Sequence, residues 1–92
     1  SWWVKCGSVE LMAAEAYVLI NCSVGKEEAI MGDITNISGI SEVHGTFGAY
    51  DIITKVSGKD SVEMRQIITE KIRKIKDVRS TLALIVISEQ DQ

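Results

Sequence analysis

The stretch Gly48-Ala49-Tyr50-Asp51 sets a glycine three residues ahead of a carboxylate, in the link between two strand-like segments. Glycine reaches positive φ without a Cβ penalty, so a tight turn here can expose successive backbone N–H groups. Asp51 adds a fixed negative charge beside them. A donor cluster and an acceptor within a few Å complement a zwitterion, the amides taking its carboxylate and Asp51 its ammonium. The plainer alternative is that Gly48 only permits the turn and Asp51 only accepts a local backbone hydrogen bond. Residue types alone leave both open. Ser80 and Thr81 place two hydroxyls at the start of the last strand-like segment, where they serve either ordinary strand chemistry or a ligand across a cleft. Thr46 is a third hydroxyl of this kind, although strand alternation can point it away.

Other reactive side chains are sparse. His44 is the only histidine. It suits a switch, ligand or base, but a lone strand histidine is more often a half-exposed pairing residue. Cys22, at a strand end, reads as a small core hydrophobe. With Cys6 and His44 it makes no metal-ligand spacing, and a cysteine nucleophile would lack a third, orienting group. No metal site, cofactor or catalytic residue is expected. Lys71, Arg73, Lys74, Lys76 and Arg79 form a basic run interrupted by Asp77, which reads as a solvated helix face. Met31 and Met64 read as core filler.

Composition narrows the function classes. Ninety-two residues allow one domain. Ten Lys+Arg against thirteen Asp+Glu give a net charge of −3, which argues against direct DNA binding. Hydrophobic residues make up 46% of the chain, too many for a disordered segment, yet no apolar run approaches the roughly 18–20 residues of a membrane span. A soluble, cytoplasmic domain is the expectation, with no membrane partner.

Stepping along the chain gives the elements that must position these groups. Residues 1–11 have no clear period, hold both tryptophans and precede Met12; they read as a vector-derived or disordered segment, leaving residues 12–92 as the domain. Ala16–Cys22 is a β-branched apolar run, hence a strand. Glu27–Ile37 carries Ile30, Ile34 and Ile37 at helical spacing, with Glu27 and Glu28 in the first turn and Ser38-Gly39 as the stop. Ile40–Phe47 and Ile52–Val56 read as a hairpin. Asp60-x-x-Glu63 resembles a capping box for a helix whose stripe is Met64, Ile67, Ile68, Ile72 and Ile75. Residues 78–87 form the last strand.

The order β-α-β-β-α-β predicts an α+β, ferredoxin-like domain: one four-stranded antiparallel sheet with both helices on one face. In the last strand Leu82, Leu84 and Val86 alternate with Thr81, Ala83, Ile85 and Ile87, so both faces are apolar. The helix-free face therefore needs a partner, and a sheet-to-sheet homodimer is the simplest one.

Val43-His44-Gly45-Thr46-Phe47-Gly48-Ala49-Tyr50-Asp51-Ile52-Ile53-Thr54-Lys55-Val56 resembles the strand–turn–strand signature of the effector-binding domain of leucine-responsive regulatory protein/AsnC transcription regulators. Ile75-Lys76-Asp77-Val78-Arg79-Ser80-Thr81-Leu82-Ala83-Leu84-Ile85-Val86 resembles that family's last helix end and strand. The resemblance spans about residues 16–88. It implies back-to-back dimers, often four to a ring, with amino acids or related small molecules held between dimers, and it identifies the chain as a stand-alone effector-binding form without the helix-turn-helix domain. Mixed assembly with full-length regulators follows from a shared interface. Carried over residue by residue, the ligand site is Thr46, Phe47, Gly48, Ala49, Tyr50 and Asp51, faced by Ser80 and Thr81. Two departures make the site less polar: Phe47 stands where many members have a small residue, and Ala83 where the last strand often has a second Thr. Phe47 would also narrow or cap the pocket, so small or polar amino acids are expected over aromatic ones. Two rivals stand beside this reading. A dimeric ferredoxin-like α+β barrel enzyme would need a buried polar set, for which only His44 and Tyr50 are available. An oligomerisation module would bind no ligand.

Overall fold

In the computed structural model, which describes residues 14–86, six elements follow one another: β1 (Ala14–Cys22), α1 (Glu27–Thr35), β2 (Ile40–Gly45), β3 (Ile52–Gly58), α2 (Ser61–Gln66, continued by a π-helical segment, Ile67–Ile72) and β4 (Val78–Ile85). The expectations for residues 1–11, for the domain boundary at residue 12 and for Ile87 lie outside the described residues. All strand pairs are antiparallel, in the order β2-β3-β1-β4. This is the ferredoxin-like arrangement that the element order predicts.

Alternation along the central strands builds the core. Ala16, Val18, Ile20 and Cys22 on β1 and Ile52, Thr54 and Val56 on β3 point to the helix layer and are buried. Ile30 and Ile34 from α1 and Met64, Ile67, Ile68 and Ile72 from the second helix close over them. Each buried isoleucine contributes roughly 1.5–3 kcal/mol. The one buried polar side chain among these, Thr54, satisfies its hydroxyl by donating to the Glu42 carbonyl at 2.6 Å.

The elements end where local bonding dictates. α1 stops at Thr35, one half-turn before the expected Ile37, because the Asn36 and Ile37 amides bond back to Asp33 and Ile34 in tighter turns. Gly39 then takes φ +100°, and a Cβ there would stand 2.8 Å from the Ser57 carbonyl oxygen. Asp60 caps α2 by accepting the Glu63 amide at 2.8 Å; Glu63 reaches back to the Lys59 amide at 2.7 Å, one residue earlier than in the usual box. β3 runs two residues past Val56, to Gly58, because Ala14 and Glu15 extend β1 to pair with it. The π-helical turn, marked by the Arg73 amide bonding to the Ile68 carbonyl at 3.1 Å, is not visible in the hydrophobic stripe.

β2 ends at Gly45, not Phe47. Thr46 turns its amide to the Asp51 carbonyl and its hydroxyl to the Tyr50 carbonyl, both at 2.8 Å, and so closes a loop of residues 46–51. Phe47 is fully exposed on that loop. On the helix-free face, the register lines up Leu19 with Ile53 and Leu82, and Tyr17 with Lys55 and Leu84. Leu82 and Leu84 are 43% and 50% exposed, so the apolar row ends open on the edge strand.

Candidate functional site

Asp51 is held on three sides. Its amide donates to the Ile20 carbonyl at 2.9 Å, its carbonyl accepts from Thr46 at 2.8 Å, and its carboxylate oxygen Oδ2 accepts the Cys22 amide at 3.0 Å. The carboxylate is thereby fixed between the β2–β3 loop and the end of β1. Gly48 takes φ +126°, the positive-φ conformation expected of it, in open space. Among the described residues, the amides of Phe47, Gly48, Ala49 and Tyr50 have no protein acceptor.

Two clefts flank Asp51. One, of about 350 Å³, is lined by Glu27, Gly45, Thr46 and Phe47 besides Asp51, so both its charges are negative. The other, of about 450 Å³, joins Asp51 to Asn21, Cys22, Arg79 and Ser80. It carries one carboxylate and one guanidinium that do not form an ion pair with each other. The Asn21 side-chain amide donates to the Ser80 hydroxyl at 3.4 Å, a long contact that leaves the hydroxyl available. Cys22 lines the same cleft as a neutral thiol. Burial first, then the charges of Asp51 and Glu27, push its pKa up, which disfavours the nucleophilic thiolate.

The eight expected residues do not all meet within one chain. Asp51 and Ser80 share a cleft, and Thr46 and Phe47 wall the other side of Asp51. Thr81 follows Ser80 on a strand and so faces the opposite side of the sheet, where its hydroxyl accepts from Arg73 Nε at 3.1 Å. Arg79, Asn21 and Glu27 are the charged and polar neighbours that residue spacing did not single out. The signal for Asn21 lies in the strand register, Asn21 opposite Ser80, which places that side chain beside the hydroxyl. His44 lies on the helix-free face, opposite Ile53 in the register and 3.3 Å from the Glu42 carboxylate, and lines neither cleft beside Asp51.

Residues 15–92 match the family model described as the Lrp/AsnC ligand binding domain. Among curated proteins, the homocitrate synthase of Saccharolobus solfataricus is 40% identical over 76 residues, 82% of this chain but 16% of the enzyme. The chain thus spans about a sixth of the curated relatives it matches. Among solved structures, a hypothetical protein from Pyrococcus horikoshii is 33% identical with a TM-score of 0.77, covering 83% of this chain and 92% of that one. A transcriptional regulator of Neisseria meningitidis, solved as a complex with L-Met, shares the fold at 13% identity and a TM-score of 0.75, covering 97% of this chain and 58% of the regulator. No helix among the described residues is long and apolar enough to cross a membrane.

Proposed function

The chain belongs to the Lrp/AsnC ligand-binding-domain family, and on that premise we propose that it is a non-enzymatic regulatory domain that senses a free amino acid in the cleft between Asp51 and Arg79. The observation that carries this reading is the presence, in a cleft of about 450 Å³, of one fixed carboxylate and one guanidinium that has no carboxylate partner among the described residues. Asp51 takes the ammonium through the oxygen not bonded to Cys22. Arg79 and the Ser80 hydroxyl take the carboxylate. Arg79 displaces the turn amides from that role because it shares the cleft with Asp51, whereas the amides of residues 47–50 belong to the loop on the other side. Those amides, with Gly48 and Phe47, are offered to a second copy packed against the loop, which makes the site one shared between dimers. The fixed geometry matters, since a preorganised pair loses little entropy on binding.

The helix-free face supports the homodimer, through the row formed by Leu19, Ile53 and Leu82 and its neighbour formed by Tyr17 and Leu84. Dimers of this kind would assemble into a tetramer of dimers, or mix with full-length regulators, in the cytoplasm, with no direct DNA contact by this chain. The match to homocitrate synthases favours a second reading of what is regulated: the domain would pass ligand control to a biosynthetic enzyme rather than to a DNA-binding domain. Calorimetric titration of twenty amino acids into the purified chain tests the shared premise. Saturable binding of at least one small or polar amino acid is expected. No binding at several millimolar would overturn it and leave the oligomerisation module as the better reading.

A further inference from the structure

A third cleft, of about 310 Å³, lies across β4 from Ser80; it takes Thr81, which the sequence suggested for the amino acid, and shares no residue with the cleft of Asp51 and Arg79. Arg65, Thr69 and Arg73 recur every four residues and so share one face of the second helix. Thr81, Ala83 and Ile85 recur every two and share one face of β4. Their register partners on β1 are Ile20, Val18 and Ala16, all buried toward the helices. The two stripes therefore face each other. They meet where Arg73 bonds to Thr81 and part toward Ile85, which remains 46% exposed although its β1 partner is fully buried.

We propose that this cleft binds a small organic carboxylate with a short aliphatic body and no ammonium group. Arg73 Nε donates to the Thr81 hydroxyl at 3.1 Å, which restrains the guanidinium and leaves its two terminal nitrogens without a protein acceptor among the described residues. Among the described residues no carboxylate lies within 4.0 Å of Arg65 or Arg73, in a chain of net charge −3 where acidic partners are plentiful. Among the described residues no acidic side chain lines the cleft. Two guanidinium forks with no internal partner suit carboxylate oxygens. Ile68, Ala83 and Ile85 supply an apolar floor that an aliphatic body would cover and inorganic phosphate would leave wet. An ammonium would meet two positive charges and no acceptor of opposite sign, so amino acids are excluded here and admitted at Asp51. The π-helical turn runs along this cleft, with Arg73 bonded five residues back to Ile68, a rare geometry that recurs at binding sites.

Glutarate is the probe, titrated calorimetrically and by backbone-amide NMR into the wild-type chain. Saturable binding is expected, with shifts confined to residues 65–73 and 81–85. Arg65→Gln and Arg73→Gln should each weaken glutarate roughly tenfold or more, while keeping the melting temperature of these exposed positions. Arg73→Lys, which keeps the charge but loses the fork, should also weaken it. Arg79→Gln, in the cleft beside Asp51 and not among the residues that line this one, should leave glutarate affinity unchanged while weakening any amino acid bound at Asp51. That contrast separates failure of this site from failure of the first. Absence of saturable binding, phosphate binding as tightly as glutarate, equal affinity in both glutamine variants, or shifts centred on Asp51 and Arg79 would each overturn the proposal.

Discussion

Replacing Asp51 by asparagine and by alanine separates the two tasks that its carboxylate can perform. Oδ2 accepts the part-buried Cys22 amide at 3.0 Å, which ties the β2–β3 loop to the end of β1. Asparagine keeps a side-chain oxygen for that bond and removes only the charge. Alanine removes both and leaves a part-buried donor unsatisfied, at a cost of about 1–3 kcal/mol. For a domain of this size, each kcal/mol lowers the melting temperature by about 4–8 °C. Asp51→Ala should therefore melt roughly 4–24 °C below wild type, and Asp51→Asn close to it. Affinity for the amino acid should fall in both, because a charge-assisted hydrogen bond worth about 1.5–3 kcal/mol is lost, roughly 10- to 150-fold. Differential scanning fluorimetry and calorimetric titration read the two quantities on the same samples. If Asp51→Asn binds the amino acid as tightly as wild type, Asp51 only anchors the loop. If Asp51→Ala melts with wild type, the Cys22 bond is not an anchor.

Leu84→Asp places a charge in the open apolar row of the helix-free face and should shift sedimentation from dimer toward monomer, by loss of roughly 1.5–3 kcal/mol per protomer contact; an unchanged profile would place the interface elsewhere. Ile85, on the helix side, is the weaker probe of that interface. Two glycine replacements should move stability in opposite directions. Gly39→Ala forces a Cβ to 2.8 Å from the Ser57 oxygen at φ +100° and should destabilise by about 1–3 kcal/mol, whereas Gly32→Ala, inside α1 with nothing within 4 Å, should stabilise by about 0.5–1 kcal/mol in thermal melts. Cys22 has its pKa raised in the fold, so its contribution is complete below the ordinary thiol value of about 8.5 and lost as pH rises through and above it. Wild-type stability should decline above that pH more steeply than that of Cys22→Ala; parallel curves in chemical denaturation would refute the assignment.

Much of the fold is legible because its determinants are local. Ile30 and Ile34 announce α1 by spacing, and both are buried. Asp60 announces the start of α2 by chemistry, and its carboxylate accepts the Glu63 amide. The errors fall where a backbone bond competes with propensity. Phe47 reads as a strand residue, yet Thr46 spends its amide and hydroxyl inside the loop and carries Phe47 off the sheet. The π-helical turn leaves no mark on the apolar stripe, because Ile67, Ile68 and Ile72 are buried by either helical period; Thr69, which donates to the Arg65 carbonyl at 2.6 Å, is the local feature that accompanies it.

The candidate site was half legible for a related reason. Gly48 and Asp51 lie three residues apart, so a single turn sets their relation. Arg79 lies far along the chain from Asp51, and only the pairing of β1 with both β3 and β4 brings it to the same cleft. The same pairing divides Ser80 from Thr81. Adjacent hydroxyls read as one feature in sequence, but a strand sends them to opposite faces, Ser80 to the cleft with Asp51 and Thr81 to Arg73. The consequence is a strand with unlike chemistry on its two sides. Toward Asn21 and Asp51 it borders a cleft with one carboxylate and one guanidinium; toward the second helix it helps form a cleft with two guanidiniums and, among the described residues, no carboxylate. With both proposed sites occupied, one strand would separate ligands by whether they carry an ammonium, Ser80 serving one cleft and Thr81 the other.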